Sequence, residues 1–396
     1  MGEINFFPDD LEIKNQKIIL RLDLNVPIED KEIKDDTRIS LCLPFIYKLI
    51  EKKGKIIIIS HLGRPEGVRV PELSLIPIYK YLKDVLETNV YFFSGSFDDD
   101  VKEKFSYLKG GEVIIVENIR FFKGETEDDE IFSKKLGALG DIYINDAFSC
   151  SHRKQASVHN IAKYIKKTFA GPLLKKEITA IDLVIKNKKE PVTCIIGGSK
   201  ISTKINVISN LIKKTNNLVI VGAMANNFFT FKNYKVGNSL IEKNTKDIIH
   251  DIYKKAEMNK CEILIPEDCK VGKNFDGGGK NKSINEIEDD DIILDIGPKT
   301  IDNIIKKIEQ SNTVLWNGPA GYFENDNFSK GTMSIAENIS KNTTKNSLIS
   351  VLGGGDTLAA INKSKSKLSF SYLSTAGGAF LEYLEGKDLP GISVLK

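Results

Sequence analysis

Short, continuously apolar and β-branched runs recur along the 396-residue chain, and most lead into a turn rich in Gly, Asn or Asp and then an amphipathic stretch. In the first half these runs are 17–24, 55–60, 112–116 and 141–145, with a further one near 90–93. In the second half they are 192–196, 217–221, 262–265, 292–295, 313–316, 347–352 and 370–373. Continuous rather than alternating apolar residues predict strands buried on both faces, as in a parallel sheet. The intervening stretches, such as 43–53, 201–214 and 300–308, predict helices, and the alternation predicts βαβ units. Gly171-Pro172 opens a longer helical stretch to Asn187, after which Lys188-Lys189-Glu190-Pro191 leads into a new strand. The chain is too long for one core, so this stretch reads as a helix joining two lobes. The expected fold is therefore α/β, with two doubly wound, Rossmann-like parallel-sheet lobes. Residues 274–283 are polar and glycine-rich. They lack the spacing and the Ser/Thr of a phosphate-binding P-loop and are expected to be a surface turn.

In open α/β sheets, ligands bind beyond the carboxyl ends of the strands. In the first half the residues there are Asp23 and Asn25, then His61-Leu62-Gly63-Arg64, then Glu117-Asn118 and Arg120, then Asp146 and His152-Arg153. Arginine and histidine suit a phosphate with a carboxylate, while Asp23 and Asn25 suit a neighbouring hydroxyl. In the second half they are Gly197-Gly198-Ser199-Lys200, Trp316-Asn317-Gly318-Pro319, Gly353-Gly354-Gly355-Asp356-Thr357 and Ser374-Thr375-Ala376-Gly377-Gly378. Glycines at strand-to-helix turns let backbone N–H groups approach phosphate oxygens. A carboxylate beside them, Asp356, suits a phosphate-bound Mg²⁺. One lobe reads as built for a small anion and the other for a nucleotide.

Composition sharpens this in one respect. Of 57 basic residues only Arg21, Arg38, Arg64, Arg69, Arg120 and Arg153 are arginine, and all precede residue 154. Against so strong a lysine bias, a retained planar guanidinium points to bidentate capture of phosphate or carboxylate. The net charge of +3 gives no reason to expect nucleic acid or an anionic membrane as partner. No apolar run approaches a bilayer-spanning length. Five scattered cysteines without CxxC spacing, and no signal-peptide pattern, lead us to expect reduced thiols and a cytoplasmic location.

The strings RLDLNVP (21–27), SHLGRP (60–65), ENIRF (117–121), NDAFSCSHR (145–153), GGSKISTKI (197–205), DIGPKT (295–300), WNGPAGYFE (316–324), GGGDT (353–357) and STAGGAFLEYLEGKDLPG (374–391) occur in order over nearly the whole chain. Together they resemble the phosphoglycerate kinase family. That resemblance implies reversible phosphoryl transfer from 1,3-bisphosphoglycerate to Mg-ADP, giving 3-phosphoglycerate and ATP, by a monomer whose two lobes close about a hinge. It implies an amino-terminal domain over 1–170 that binds the glycerate, an interdomain helix over 171–187, and a nucleotide domain over 188–385. The tail 386–396 is implied to return to the first lobe. The implied glycerate-binding residues are Asp23, Asn25, Arg38, His61, Leu62, Gly63, Arg64, Arg120 and Arg153. The implied nucleotide-binding residues are Gly197 and Gly198 near the adenine, Lys204 at the phosphates, Gly222, Asn317, Pro319, Glu324 at the ribose, and Gly354, Gly355, Asp356 and Thr357 at the phosphates. Asp356 is the implied Mg²⁺ ligand. The resemblance further implies that Arg38 and Lys200 steady the phosphoryl group in flight, with Gly355 and Gly378 also counted as catalytic.

The chain departs from the family pattern in places. Ala376 stands where the first Gly of a triplet is usual, and its methyl is expected to disturb the loop. Thr203 replaces an acidic residue between Lys200 and Lys204, Val221 and Ala223 replace glycines and are expected to narrow the adenine pocket, and Ser149-Cys150-Ser151 replace smaller residues. Beyond the implied ligand roles, Glu117 and Asp146 are expected to orient arginines, Trp316 to pack behind the nucleotide loop and Arg69 to lie on the surface. Arg21 is open between a ligand-facing and an internal role. A nicotinamide-dependent dehydrogenase is excluded because no GxGxxG follows the first strand. The alternatives that stay open are a kinase for a different small carboxylic acid and a nucleotide-binding scaffold that has lost catalysis.

Overall fold

The computed structural model describes residues 3–98, 103, 105–364 and 366–396. The chain forms two compact units, one reaching to Ile178 and including Asp388–Lys396, the other Thr179–Lys387; the division falls inside the helix Pro172–Ile185.

The first unit contains β1 (Lys17–Arg21), a hairpin of β2 (Ile28–Glu29) and β3 (Glu32–Ile33), β4 (Lys55–Ile59), β5 (Val90–Phe93), β6 (Val113–Val116), β7 (Ile142–Asn145) and β8 (Lys167–Ala170). Six of these form a sheet in the order β5-β6-β4-β1-β7-β8, parallel at every pairing. The four central strands are buried almost end to end, as their Ile- and Val-rich runs require of strands covered on both faces. The helices Thr37–Glu51 and Ile76–Val85 cover one face, where Ile46, Leu49, Ile78 and Leu82 share a core with Leu20, Ile56 and Ile58. The strand order reverses about β1, with β4 on one side and β7 on the other, and the register sets Arg21 level with Ile59 and Asn145. The loops after these three strands therefore leave from one edge, at a topological switch point. The carboxyl-terminal tail belongs to this unit: Asn145 Nδ2 donates to Gly391 O (2.9 Å), Gly391 N–H to Ser151 O (2.9 Å) and Asn5 N–H to Leu395 O (2.7 Å).

The second unit contains β9 (Val192–Ile196), β10 (Asn217–Ile220), β11 (Glu262–Leu264), β12 (Asp268–Gly272), β13 (Lys280–Ser283), β14 (Ile292–Ile296), β15 (Thr313–Asn317), β16 (Ile349–Gly353) and β17 (Tyr372–Ser374). Its main sheet runs β11-β10-β9-β15-β16-β17, again all parallel, with the reversal between β9 and β15. Asn317 is level with Ile196 and Gly353, so three glycine loops start from one edge. The run 292–295 does form a strand, but in a separate antiparallel sheet of order β13-β12-β14. The expected surface turn at 274–283 is corrected accordingly: its last four residues are β13, an edge strand whose polar Lys-Asn-Lys-Ser sequence gives no apolar signal. All five cysteines are unpaired and buried.

Candidate active site

In the first unit the loop after β1 closes as an Asx turn, with Asn25 N–H donating to Asp23 Oδ1 (3.1 Å). Asp23 Oδ2 accepts from Arg38 Nη1 (2.8 Å) and from the Ser149 hydroxyl. Arg38 stands in the first turn of Thr37–Glu51 and also donates to Asn25 O (3.1 Å). Asn25 Oδ1 takes the N–H of Gly63 (3.0 Å), whose left-handed backbone (φ +61°) suits glycine and whose missing Cβ would lie 2.7 Å from Leu73 Cδ2. Arg120, in the turn after β6, donates to Gly63 O (2.8 Å) and to Gln155 Oε1 (3.3 Å), while its buried Nε has no partner. Below them the fully buried Arg21 donates to Ser157 Oγ (2.9 Å) and places Nη2 at 3.4 Å from His61 Nδ1. Leu62 is buried; Arg64 is exposed on the His61 loop, and Arg153 is half-buried on the loop after β7.

Burial, with Arg21, Arg120, Arg153 and Arg38 adding their charge, holds His61 well below the usual imidazole range. Because a guanidinium only donates, His61 Nδ1 accepts from Arg21 and the ring proton sits on Nε2. Burial, reinforced by Arg21 and Arg153, pushes Arg120 down to about 10. The cluster is thus an excess of buried positive charge that an anion would relieve.

In the second unit, backbone crowding explains the glycines. A Cβ on Gly197 would lie 2.2 Å from Pro319 O, and one on Gly318 (φ +97°) would lie 2.4 Å from Gly197 O, so the loops after β9 and β15 touch backbone to backbone. Asn317, 2% exposed, ties the third loop in: its Nδ2 donates to Gly353 O (2.6 Å) and its Oδ1 accepts from Lys204 Nζ (2.6 Å). Thr357 accepts the Gly318 N–H (2.7 Å) and donates to Gly353 O (3.1 Å). The loops after β9, β10 and β15 wall a cleft of about 370 Å³, lined by Gly198, Gly222, Pro319, Glu324 and Asp356 with the aromatic Phe229, Phe275 and Tyr322. That size suits a small-molecule ligand. Asp356 is exposed in the first turn of the helix Gly355–Asn362, with open space in front of Gly355. Lys200 is exposed on a loop pinned by Glu242, which takes the Ser202 N–H (3.1 Å) and hydroxyl. Gly378 opens the helix Gly378–Leu384 after the left-handed Gly377 (φ +57°).

A family model described as phosphoglycerate kinase matches residues 8–387. The chain belongs to the phosphoglycerate kinase family. It is 42% identical over 390 residues to a phosphoglycerate kinase of Wolbachia pipientis wMel, covering 98% of both chains, and equally identical over the same length to one of Brucella abortus. A solved structure of phosphoglycerate kinase from Coxiella burnetii superposes with a TM-score of 0.91 at 38% identity, over 98% of this chain and 97% of that one. Another from Pyrococcus horikoshii OT3 does so at 0.79 and 28%, over 98% of each. Family membership makes this a phosphoglycerate kinase-type phosphotransferase with a carboxyl group as acceptor, and disfavours the different-acid and scaffold alternatives.

Within this phosphoglycerate kinase fold several expectations change. Glu117 and Asp146 do not orient arginines. Glu117 accepts from Ser74 Oγ (2.7 Å), Leu75 N–H (2.8 Å) and Asn118 N–H (2.7 Å), and Asp146 accepts the Leu174 N–H (2.9 Å), so both satisfy backbone ends in the interior. Arg21 resolves to the internal role. Val221 points into the core beneath the sheet and leaves the cleft unnarrowed, whereas Ala223 does line it. Ala376 N–H donates to Ser374 Oγ (3.3 Å) and its methyl is buried, so that amide serves the loop itself. Thr203 donates its hydroxyl to Lys200 O (2.9 Å), a local tie in place of a charge. Trp316 packs in the core as expected, with Nε1 donating to Gly318 O (2.7 Å). Gln155 and Ser149 were given no site role from the sequence, Ser149 being noted only as larger than usual at its position, and Glu242 was not singled out. The first two lie beside predicted ligands in the loop after β7, which was the available signal; Glu242 is far from every motif.

Proposed function

We propose that the first-unit cluster binds 3-phosphoglycerate and 1,3-bisphosphoglycerate, that the second-unit cleft binds ADP and ATP, and that Lys200 and Arg38 stabilise the phosphoryl group as it passes between them. The observation that carries the acid site is Arg120: a guanidinium 4% exposed, depressed by its surroundings and left with an unpaired N–H, which a phosphate would satisfy. Asp23 and Asn25 face a hydroxyl-bearing acid, and Arg64 and Arg153 complete the positive rim. On this reading Gly197, Gly198 and Gly222 give the base close access to backbone, Glu324 serves the ribose, Asn317 holds Lys204 and the Gly353 loop in place, and Lys204 with Gly354–Thr357 serves the phosphates. Asp356, an exposed hard oxygen donor on the cleft wall, fits a Mg²⁺ arriving with the nucleotide, and that ion would supply charge neutralisation at the phosphates.

Phosphoryl transfer needs alignment and positive charge on the equatorial oxygens more than covalent help. Lys200, Arg38, and the N–H groups at Gly355 and Gly378 would supply that charge once water is excluded. No general base is required, which agrees with a neutral His61 serving as an Nε2–H donor. Because different units hold the two ligands, turnover on this reading requires them to close, with a hinge near the 171–187 helix. We further take the enzyme to act as a cytoplasmic monomer on small molecules, without nucleic acid or membrane; no helix of the described residues is long and apolar enough to cross a membrane. A coupled assay of ADP formation tests the proposal. Turnover should require ATP, Mg²⁺ and 3-phosphoglycerate together, and a folded, nucleotide-binding protein that leaves 3-phosphoglycerate untouched would refute it.

A further inference from the structure

Asp23 offers about four acceptor positions on its two carboxylate oxygens. Oδ1 receives the Asn25 N–H at 3.1 Å, and Oδ2 receives both Arg38 Nη1 at 2.8 Å and the Ser149 hydroxyl. The two donors saturate Oδ2, which leaves one acceptor position, on Oδ1. Without Ser149, the Asn25 N–H and Arg38 would hold one oxygen each and leave an acceptor position on both; the Ser149 hydroxyl takes the one on Oδ2. Ser149 can do this because its turn, Phe148–Cys150, is itself fixed: Cys150 N–H donates to Ala147 O (3.2 Å) and Ser151 N–H to Phe148 O (2.9 Å). Ser149 is half-buried and the Asp23 side chain is 13% exposed, so the remaining acceptor is sheltered yet reachable.

From this geometry we infer that Ser149 is a positioning residue that makes the acid site selective for a hydroxyl on the carbon next to the substrate carboxyl. It acts through Asp23 by aiming a single carboxylate acceptor at that hydroxyl. The inference rests on the glycerate reading of the first-unit site. A site arranged this way prefers a phosphorylated 2-hydroxy acid over the same acid without the hydroxyl, because the aimed acceptor is otherwise left unpaired.

The test is a calorimetric comparison of 3-phosphoglycerate with its 2-deoxy analogue, 3-phosphonooxypropanoate, on wild type, Ser149→Ala and Ser149→Thr, alongside steady-state kinetics. In Ser149→Ala, 3-phosphoglycerate should bind about fivefold more weakly, the loss expected of one hydrogen bond. The analogue's affinity, kcat and the KM for ATP should stay unchanged, and Ser149→Thr should restore discrimination. Equal weakening of both ligands would mark Ser149 as merely structural and overturn the inference, as would unchanged discrimination. If wild type binds neither acid, the glycerate reading fails and the inference fails with it.

Discussion

Lys204 Nζ lies 2.6 Å from Asn317 Oδ1 and 2.6 Å from Gly197 O, so without nucleotide this cation holds two glycine loops together. Burial pushes it down to about 8, with Asp356 the group that offsets part of the shift. Neither neutral acceptor compensates the ammonium as a phosphate would. The same side chain therefore sets the loops before binding and is held in readiness for an anion.

A pH prediction follows from the sign of that shift. The charged form binds phosphate, and binding should raise the Lys204 pKa. Affinity for ATP should thus be highest below about 8 and fall as pH rises through that value. Calorimetry in buffers of different ionisation enthalpy should show proton uptake on binding near that pH. Lys204→Ala should bind more weakly and lose the uptake; an unchanged proton count in the variant would contradict the assignment.

Arg120 bridges Gly63 O and Gln155 Oε1 with separate nitrogens while its Nε stays open. Arg120→Ala should raise the KM for 3-phosphoglycerate about tenfold to a hundredfold, as expected when a charged hydrogen bond is lost, and leave the KM for ATP unchanged. Arg120→Lys should not rescue it, because a point charge cannot make both bridges and reach a phosphate. Steady-state kinetics with each substrate varied in turn decides this.

Asp146 is buried at the start of Pro172–Ile185, with one oxygen on the Leu174 N–H and the other unpartnered. Burial pushes its carboxyl up to about 7 from 3.8. Between those values the folded chain keeps a proton that the unfolded chain has released, so this group's effect on stability worsens with rising pH and is complete above about 7. Asp146→Asn, neutral throughout, should gain in Tm over wild type above that value, and the gain should vanish at acid pH. A pH-independent difference would contradict the shift.

Much of this was legible in the sequence because buried parallel strands write themselves as unbroken Ile/Val runs. Lys55–Ile59 and Val192–Ile196 are clear cases. Elements without that signal were missed: Lys167–Ala170 at the sheet edge, and Lys280–Ser283, which has no apolar residue. The helix expected over 43–53 begins at Thr37, because Pro44 reads as a start signal yet sits inside it. The charged site residues were legible from their places after strands. Their partners were not, since whether Glu117 turns to an arginine or to the Leu75 N–H depends on packing between distant loops. For the same reason the sequence left Arg21 undecided, although one strand position decides it.

The most direct test of the account is the steady-state kinetics of Lys200→Ala. Lys200 is exposed on the Glu242-pinned loop. Its loss should lower kcat about a hundredfold to a thousandfold, the scale of removing one stabiliser of transition-state charge, with both KM values nearly unchanged. A variant that turns over at the wild-type rate, or one that loses substrate binding and keeps kcat, would contradict transfer stabilised by Lys200.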